Sequence, residues 1–148
     1  SNNRESDDSR STSKSATQSR FWYRQKLDGC EITLNIIEDT VDLDLFLKLD
    51  IRVGKIIKAE VFGQARKPAY KLWIDFGDLG TRQSSAQITA HYRIDALIGR
   101  LVACVMNCPG KQVGDFNSEV LVLGSAVNAG GVLLLKPDDG SELGSRVF

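Results

Sequence analysis

The sequence predicts an all-β fold, a small five-stranded barrel that carries a short helix and extensions at both ends. Three observations lead to this prediction. Apolar and polar residues alternate over strand-length runs, most clearly over 70–76. Turns rich in Gly, Asp and Asn separate these runs. The order of the runs is three strands, a helix and then further strands, which is the element order of the OB-fold, a Greek-key barrel.

The chain of 148 residues is long enough to bury one core, and 42% of its residues are hydrophobic. No apolar run approaches the roughly 18 residues of a membrane-spanning helix, so we expect no membrane insertion. The formal net charge is zero, yet residues 50–111 hold ten Lys or Arg against five Asp or Glu. Such a local excess of positive charge is typical of surfaces that bind phosphate or other anions.

The first 39 residues differ from the rest of the chain. Residues 1–20 are rich in serine and contain a single hydrophobic residue, which predicts a disordered tail. Residues 21–39 are an extra segment in which two β-prone runs flank Asp28-Gly29, which predicts a β-hairpin or, alternatively, an extended arm. Residues 40–148 hold the predicted barrel. We expect a cytoplasmic protein, and the Ser and Arg content of the tail leaves an organellar location open.

The first elements of residues 40–148 are a helix and a long strand. A short helix is predicted after Thr40 or Asp42, either of which can cap it, because Leu43, Phe46 and Leu47 then share one face. The following run, 51–61, is rich in β-branched residues. Gly54 interrupts the alternation of this run, which predicts a bulged or coiled barrel strand.

The run 70–76 predicts the second strand. Its even-numbered residues are apolar and form one face, whereas Lys71 and Trp73 lie on the other face. The turn 77–80 leads from this strand into a third strand over 81–88.

The remaining elements follow a second short helix, which is predicted over 92–97 and ends before Gly99. A strand over 100–107 comes next, followed by a loop over 108–118. The last predicted strands are 120–123 and 132–135. Because both are apolar on two faces, an extension of the chain or a second subunit should cover them, and we expect a homodimer.

Three cysteines, Cys30, Cys104 and Cys108, predict neither a disulfide framework nor a metal site. Their number is odd, their spacing is not that of a zinc site, and His91 is the sole histidine. Cys104 and Cys108 are expected on one strand with their side chains on the same face, as buried thiols or, alternatively, as a redox switch. The sequence contains no phosphate-cradling glycine motif, dinucleotide fingerprint or serine-hydrolase motif, so we expect no cofactor and no catalytic residues.

Four motifs occur in the order found in one known family. They are Asp50–Ile56, Ala65–Leu72, Ser84–Thr89 and Ser118–Gly124. Together they resemble the tRNA-binding domain family, and its CsaA-type branch in particular, over about residues 42–148. The resemblance implies an OB-fold that binds tRNA or another structured RNA. For CsaA-type members it also implies a homodimer with chaperone or export-related activity.

The basic residues of these motifs are candidate phosphate contacts. Arg66, Lys67 and Lys71 lie where the chain enters the predicted strand 70–76, and cations at such a place can reach a phosphate backbone. The alternative is an ordinary solvated surface. Trp73 can stack on an unpaired base, as aromatic residues of OB-folds do, or it can pack beneath a helix or in a dimer contact.

Polar residues complete the candidate RNA site. Four lie around the third predicted strand: Ser84, Ser85, Gln87 and Thr89. These side chains can read base edges or sugar hydroxyls, or they can instead fix the sheet or a subunit contact. Three more match the family's polar and basic loop positions by resemblance: Asn107, Lys111 and Ser118. Gln112 departs from the family, because relatives often carry a second cation there, and this predicts a weaker RNA contact at the loop.

These observations favour non-catalytic binding of tRNA or another structured RNA. The alternative is a dimeric chaperone that holds unfolded or export-bound polypeptides, which the CsaA-type resemblance favours. A structural dimer without a ligand is a third interpretation. RNA binding should weaken steeply with salt, whereas capture of apolar peptides should not.

Overall fold

The structure of this chain is a computed structural model that describes residues 37–148. The predicted tail over 1–20, the predicted hairpin around Asp28-Gly29 and Cys30 lie outside the described residues. Of the segment 21–39, the structure describes the last three residues, which are exposed and not part of a helix or strand.

The described residues form two short α-helices and nine short or medium strands around a single barrel. In chain order these are α1 (Leu43–Leu47), β1 (Ile51–Val61), β2 (Tyr70–Asp75), β3 (Thr81–Ala86), α2 (Ile94–Leu97), β4 (Leu101–Val105), β5 (Lys111–Val113), β6 (Phe116–Ser118), β7 (Leu121–Val122), β8 (Gly124–Ala126) and β9 (Val132–Leu134). None of the helices over residues 37–148 is long and apolar enough to cross a membrane.

The main sheet has five antiparallel strands in the order β3-β2-β1-β4-β7. The first half of β1 pairs with β4 and its second half with β2, so this one strand serves both sides of the barrel. The two ends of the sheet meet just before β7, where the Glu119 backbone N–H donates to the Gln83 carbonyl at 2.8 Å. The result is a nearly closed barrel, which confirms the predicted all-β, OB-like fold.

The irregularity of β1 does not lie at the glycine that interrupts its alternation. The pairing with β2 shifts register between Ile56 and Lys58, not at Gly54. Gly54 is instead a point of close packing, because a Cβ there would lie 2.5 Å from Ile74 Cγ2 and 2.7 Å from Phe76 Cε1. The glycine therefore lets side chains of the β2 region pass directly beneath β1.

The main core fills the inside of the barrel. Its fully buried members include Ile56, Leu72, Ile74, Phe76, Leu97, Val102 and Cys104. The predicted inward face of β2 is thus confirmed, with its apolar residues at period two. Helix α2 contributes Leu97 to this core, and the chain leaves it through Gly99 at φ +85°, close to the predicted helix end.

A second apolar cluster lies on the outside of the barrel, over β4. Its buried members are Ile51, Ala103 and Val105, and Phe46, Leu121, Leu123 and Val147 pack against it. The chain itself therefore covers part of the two-sided apolar surface predicted at 120–123, through α1 and the C-terminal segment. In the strand predicted at 132–135, Leu133 and Leu135 remain 43% and 47% exposed.

The two described cysteines do not share a strand, so that prediction is wrong. β4 ends at Val105, which leaves Cys108 in the following loop. Cys104 lies in the main core, and its burial raises the pKa of the thiol to about 12. Cys108 is half-buried against the outer cluster over β4. Among the residues 37–148, no group of three or more His, Cys, Asp or Glu side chains could hold a metal ion.

Candidate nucleic-acid interface

The outer face of β1, β2 and β3 displays two rows of polar and aromatic side chains. The register across the three strands aligns Lys58, Trp73 and Gln83 in one row. It aligns Glu60, Lys71 and Ser85 in the next row. The strand period that turns the apolar residues of β2 into the core thus turns Lys71 and Trp73 outward, as the sequence predicts.

A small apolar cluster lies beside these rows, and we call it the outer aromatic cluster. Phe62, Ala69 and Phe116 are buried in it, and Ala65, Trp73 and Val113 pack against them. The Phe116 ring meets Phe62 edge-on with the ring centres 5.4 Å apart, and it meets Trp73 in the same way at 5.9 Å. The cluster brings together the loop 62–69, the outer face of β2 and the segment 111–118. The sequence predicts a loop over that segment, whereas the structure forms the hairpin β5–β6 there.

Two lysines cover the rings of this cluster. Lys71 Nζ lies 5.0 Å from the ring centre of Phe62 and 5.3 Å from that of Phe116. Lys58 Nζ lies 4.6 Å from the Trp73 ring centre and 3.1 Å from Glu60 Oε1. Cation–π contacts of this kind at exposed sites are worth about 0.5–1 kcal/mol. These contacts help to position the two ammonium groups on the outer face.

The sequence leaves two roles open for Trp73, stacking on a base, or packing beneath a helix or in a dimer contact. Its exposure in the structure is intermediate between a free and a buried ring. It is half-buried against the outer aromatic cluster rather than beneath a helix, and Lys58 lies over its ring. Stacking on a nucleic-acid base is worth about 1–3 kcal/mol, which exceeds the value of the Lys58 contact. Trp73 therefore presents a partly accessible ring on the candidate face, with Lys58 over it.

The remaining cations of the candidate site lie on the segments beside the outer aromatic cluster. Arg66 and Lys67 are exposed on the loop 62–69, and Lys111 is exposed at the start of β5. Arg66 and Lys67 follow Ala65, which packs on this cluster, and Lys111 lies in the hairpin that contributes Phe116 to it.

Ser84 does not fit its predicted role as an RNA contact, because it points into the barrel and is 1% exposed. Its hydroxyl donates to the Val120 carbonyl at 2.7 Å and lies 3.2 Å from Ser118 Oγ. Ser118 Oγ also accepts the Ser85 backbone N–H at 3.1 Å. The hydroxyls of Ser84 and Ser118 thus help to close the barrel between β3 and β7, and Ser85 is the serine that faces outward beside Lys71.

Asn107 is likewise used by the protein itself. Its Nδ2 donates to the Lys48 carbonyl at 2.7 Å, and its Oδ1 accepts the Asp50 N–H at 2.8 Å. Both contacts lie at the start of β1, whereas the loop 62–69 follows its far end. These hydrogen bonds give Asn107 a structural role in joining α1 to β1, and its RNA contact stays a prediction.

Gln87 and Thr89 follow the end of β3. Ala86 pairs with Tyr70, so this end of β3 lies beside the place where the loop 62–69 enters β2. Gln87 is exposed there and Thr89 is half-buried. Gln87 is thus positioned to extend the candidate face.

Sequence reasoning missed three residues of this face: Lys58, Phe62 and Phe116. Lys58 was not identified because its facing depends on the register shift that precedes it. The two phenylalanines carry a weak signal, since each is an isolated aromatic residue in an otherwise small or polar loop.

Comparisons with known proteins agree with this fold. The sequence model of the family described as "Putative tRNA binding domain" matches residues 51–146. The fold is similar to the crystal structure of chaperone CsaA from Bacillus anthracis str. Ames, with a TM-score of 0.71, 46% identity, and coverage of 74% of this chain and 100% of that one. It is similar to the CsaA chaperone protein from Picrophilus torridus with a TM-score of 0.69, 46% identity and the same coverage.

A curated relative is a longer protein. The chain is 36% identical to a methionine–tRNA ligase of Thiobacillus denitrificans over 115 residues. This match covers 74% of this chain but 16% of the ligase. The similarity is thus to a small part of that ligase. With the family match over 51–146 and a barrel similar to whole CsaA chains, this chain belongs to the tRNA-binding domain family.

Proposed function

We propose that this chain is a non-catalytic protein that binds tRNA or another structured RNA on the outer face of β1–β3, the loop 62–69 and the hairpin β5–β6. The observation that carries the proposal is the pair of lysines, Lys58 and Lys71, held over the outer aromatic cluster. Cations held in place before binding lose less side-chain entropy when they contact phosphate. The positive charge excess over 50–111 and the family match support the same conclusion.

The residues divide into contacts of two kinds. Cations that act through phosphates are Arg66, Lys67, Lys71 and Lys111, with Lys58 added from the structure. Outward polar or aromatic side chains that contact sugars or bases are Trp73, Ser85 and Gln87. Thr89 is half-buried beside them and stays a prediction. Ser84, Ser118 and Asn107 act through the fold, because their side chains are hydrogen-bonded within the protein.

A filter-binding titration of bulk tRNA with the full chain tests this function. Affinity should fall steeply between about 50 and about 200 mM salt, because phosphate contacts release counterions. The double variant Arg66→Ala/Lys67→Ala should bind less tightly to all tRNAs and reduce the salt slope by about one unit per lost contact. Lys136→Ala removes a cation that pairs with Asp139 outside this face and serves as the matched control.

Two results would contradict the proposal. One is wild-type binding that does not depend on salt. The other is a double variant that keeps both the affinity and the salt slope of the wild type, while Lys136→Ala behaves in the same way. In either case the basic loop would be an ordinary solvated surface.

A chaperone for unfolded polypeptides is the second candidate function, and exposed apolar side chains favour it. Leu43 and Leu45 of α1 are 69% and 52% exposed, and Leu133 and Leu135 remain exposed around β9. Such side chains bind apolar peptides by surface burial, which salt does not weaken. Suppression of aggregation of an unfolded test protein that is unchanged at high salt, together with no tRNA binding, would favour this function.

We further propose that the protein forms a homodimer through the exposed residues around β9, Leu133 and Leu135, where the sequence predicts a second subunit. A stable two-fold interface buries at least about 1,000 Å² in total. Light scattering should give twice the chain mass of 16.3 kDa at micromolar concentration. A species of single-chain mass under those conditions would contradict the dimer.

A further inference from the structure

Two uncharged side chains join the loop 62–69 to the hairpin β5–β6. The first is Gln64, which is exposed on the loop. Its Oε1 accepts the Asp115 backbone N–H at 3.2 Å, and its Nε2 donates to Asp115 Oδ2 at 3.4 Å. Asp115 lies in the turn between β5 and β6, so one glutamine contacts both the backbone and the side chain of that turn.

Gly114 allows this contact to form. The residue adopts φ +57°, in the left-handed region that favours glycine. A Cβ at this position would overlap the Gln64 amide oxygen and lie 3.3 Å from Gln64 Cβ. A larger residue would therefore push Gln64 away from the turn, which makes Gly114 and Gln64 two halves of one contact.

The second joining side chain is Phe116. It is 6% exposed and meets both Phe62 and Trp73 edge-on, so it anchors the hairpin on the outer aromatic cluster. The base of the loop is closed at the same place, because the Phe62 N–H donates to the Ala69 carbonyl at 2.9 Å. The loop is thus tied at its base by Phe62 and Ala69 and along its length by Gln64.

We infer that Gln64 and Phe116 are positioning residues that hold the loop bearing Arg66 and Lys67 and the hairpin bearing Lys111 as one preset cationic unit. The consequence for RNA affinity rests on the proposed function. Ordering a free loop opposes binding by its lost conformational entropy, whereas two loops packed on each other have already lost that entropy. Two neutral side chains therefore set how tightly neighbouring cations bind phosphate.

The coupling itself is tested without RNA, by hydrogen exchange of the full chain followed by mass spectrometry. Gln64→Ala should raise amide exchange in peptides of both 63–69 and 111–118, and Gly114→Ala should do the same. Gln112→Ala is the matched control, because Gln112 Nε2 donates to the Gly114 carbonyl within the hairpin at 2.9 Å. The control should leave the loop 63–69 unchanged. If Gln64→Ala changes one segment alone, or neither, the inference is overturned.

The consequence is tested by titrating bulk tRNA into the same variants. Gln64→Ala and Phe116→Leu should each weaken binding about threefold to tenfold. Every cation is still present, so the salt slope should stay that of the wild type, unlike that of Arg66→Ala/Lys67→Ala. The double variant Gln64→Ala/Gly114→Ala should be no weaker than the worse single variant, because both changes break one contact.

Together, the hydrogen-exchange and tRNA-binding experiments distinguish failure of the positioning role from failure of the proposed function. If Arg66→Ala/Lys67→Ala weakens binding but Gln64→Ala does not, the positioning role is overturned and RNA binding stands. If the wild type binds tRNA without salt dependence, the proposed function fails, and hydrogen exchange still decides whether the two segments are coupled. Should Phe116→Leu fail to fold, the exposed Gln64 provides the test by itself.

Discussion

The inner and outer faces of β2 bury apolar side chains in different ways. Inward, Leu72 and Ile74 are 0% exposed and touch a core of aliphatic and aromatic side chains. Outward, Trp73 packs on a cluster whose buried members are few and whose rings lie under lysines. The inner face thus stabilises the barrel, while the outer face uses the same kind of side chain to position charge. One strand serves both purposes because its residues alternate between the two faces.

The largest expected effect is loss of stability from the inner face. Phe76→Ala removes a ring that is 0% exposed beneath β1 and should lower the free energy of unfolding by about 3–5 kcal/mol. Phe116→Ala should lower it less, because the outer aromatic cluster lies at the surface and can collapse onto the gap. Urea titration followed by circular dichroism measures both variants. Equal losses would mean that the two clusters contribute alike to the fold.

The chemical reactivities of Cys104 and Cys108 compare the main core with the outer surface of the barrel. Burial raises the pKa of Cys104 to about 12, so at pH 8 its thiolate fraction is about a thousandfold below that of an ordinary thiol. Iodoacetamide labelling followed by peptide mass spectrometry should modify the half-buried Cys108 before the buried Cys104. An unfolded thiol ionises near pH 8.5, so raising the pH from about 9 towards 12 should destabilise the fold. Equal labelling of Cys104 and Cys108 in the folded protein would contradict this prediction.

An intermediate effect is expected at the one buried polar residue among the described side chains of the core. Ser84→Ala leaves the Val120 carbonyl without its hydroxyl donor and should cost about 1–3 kcal/mol of stability. Binding of tRNA by the folded variant should be unchanged. Ser85→Ala is the matched control on the outer face and should instead spare stability. A specific loss of tRNA affinity in Ser84→Ala would restore its predicted role as a contact.

The smallest effect on stability is expected at Lys71. Lys71→Gln removes two cation–π contacts, with Phe62 and Phe116, and should cost no more than about 1–2 kcal/mol. Its effect on binding should be clear, with the salt slope for tRNA reduced by about one unit. Thermal unfolding and filter binding measure the two quantities on one sample. A large loss of stability without a change in slope would make Lys71 a structural residue.

The strands and their faces could be predicted where the signal is local. Alternation over 70–76 identified both faces of β2, because a strand without a bulge keeps a side-chain period of two. The same reasoning predicted a bulged or coiled β1 from Gly54, but not that the strand shifts register between Ile56 and Lys58. A register shift depends on the partner strand, and no pattern within one strand contains that information.

The sequence also predicted part of the candidate site, namely the residues whose facing follows from the alternation of their own strand. Lys71 and Trp73 were placed outward because their facing follows from β2 alone. Ser84 lies in a family motif and Asn107 matches a family loop position, yet their hydrogen bonds join segments that are 36 and 57 or more positions apart in the chain. Whether such a side chain faces solvent or another strand is decided by long-range pairing.

By itself, then, the sequence determined the class of fold, the two faces of β2 and the concentration of positive charge in the middle of the chain. Each of these follows from residue type and local spacing. The tertiary structure decided that Phe62 and Phe116 meet, that Lys58 and Lys71 lie over aromatic rings, and that Gln64 reaches the turn at Asp115. These contacts join residues far apart in the chain, and they exist because closing the barrel brings the loop 62–69 and the hairpin β5–β6 to the same face.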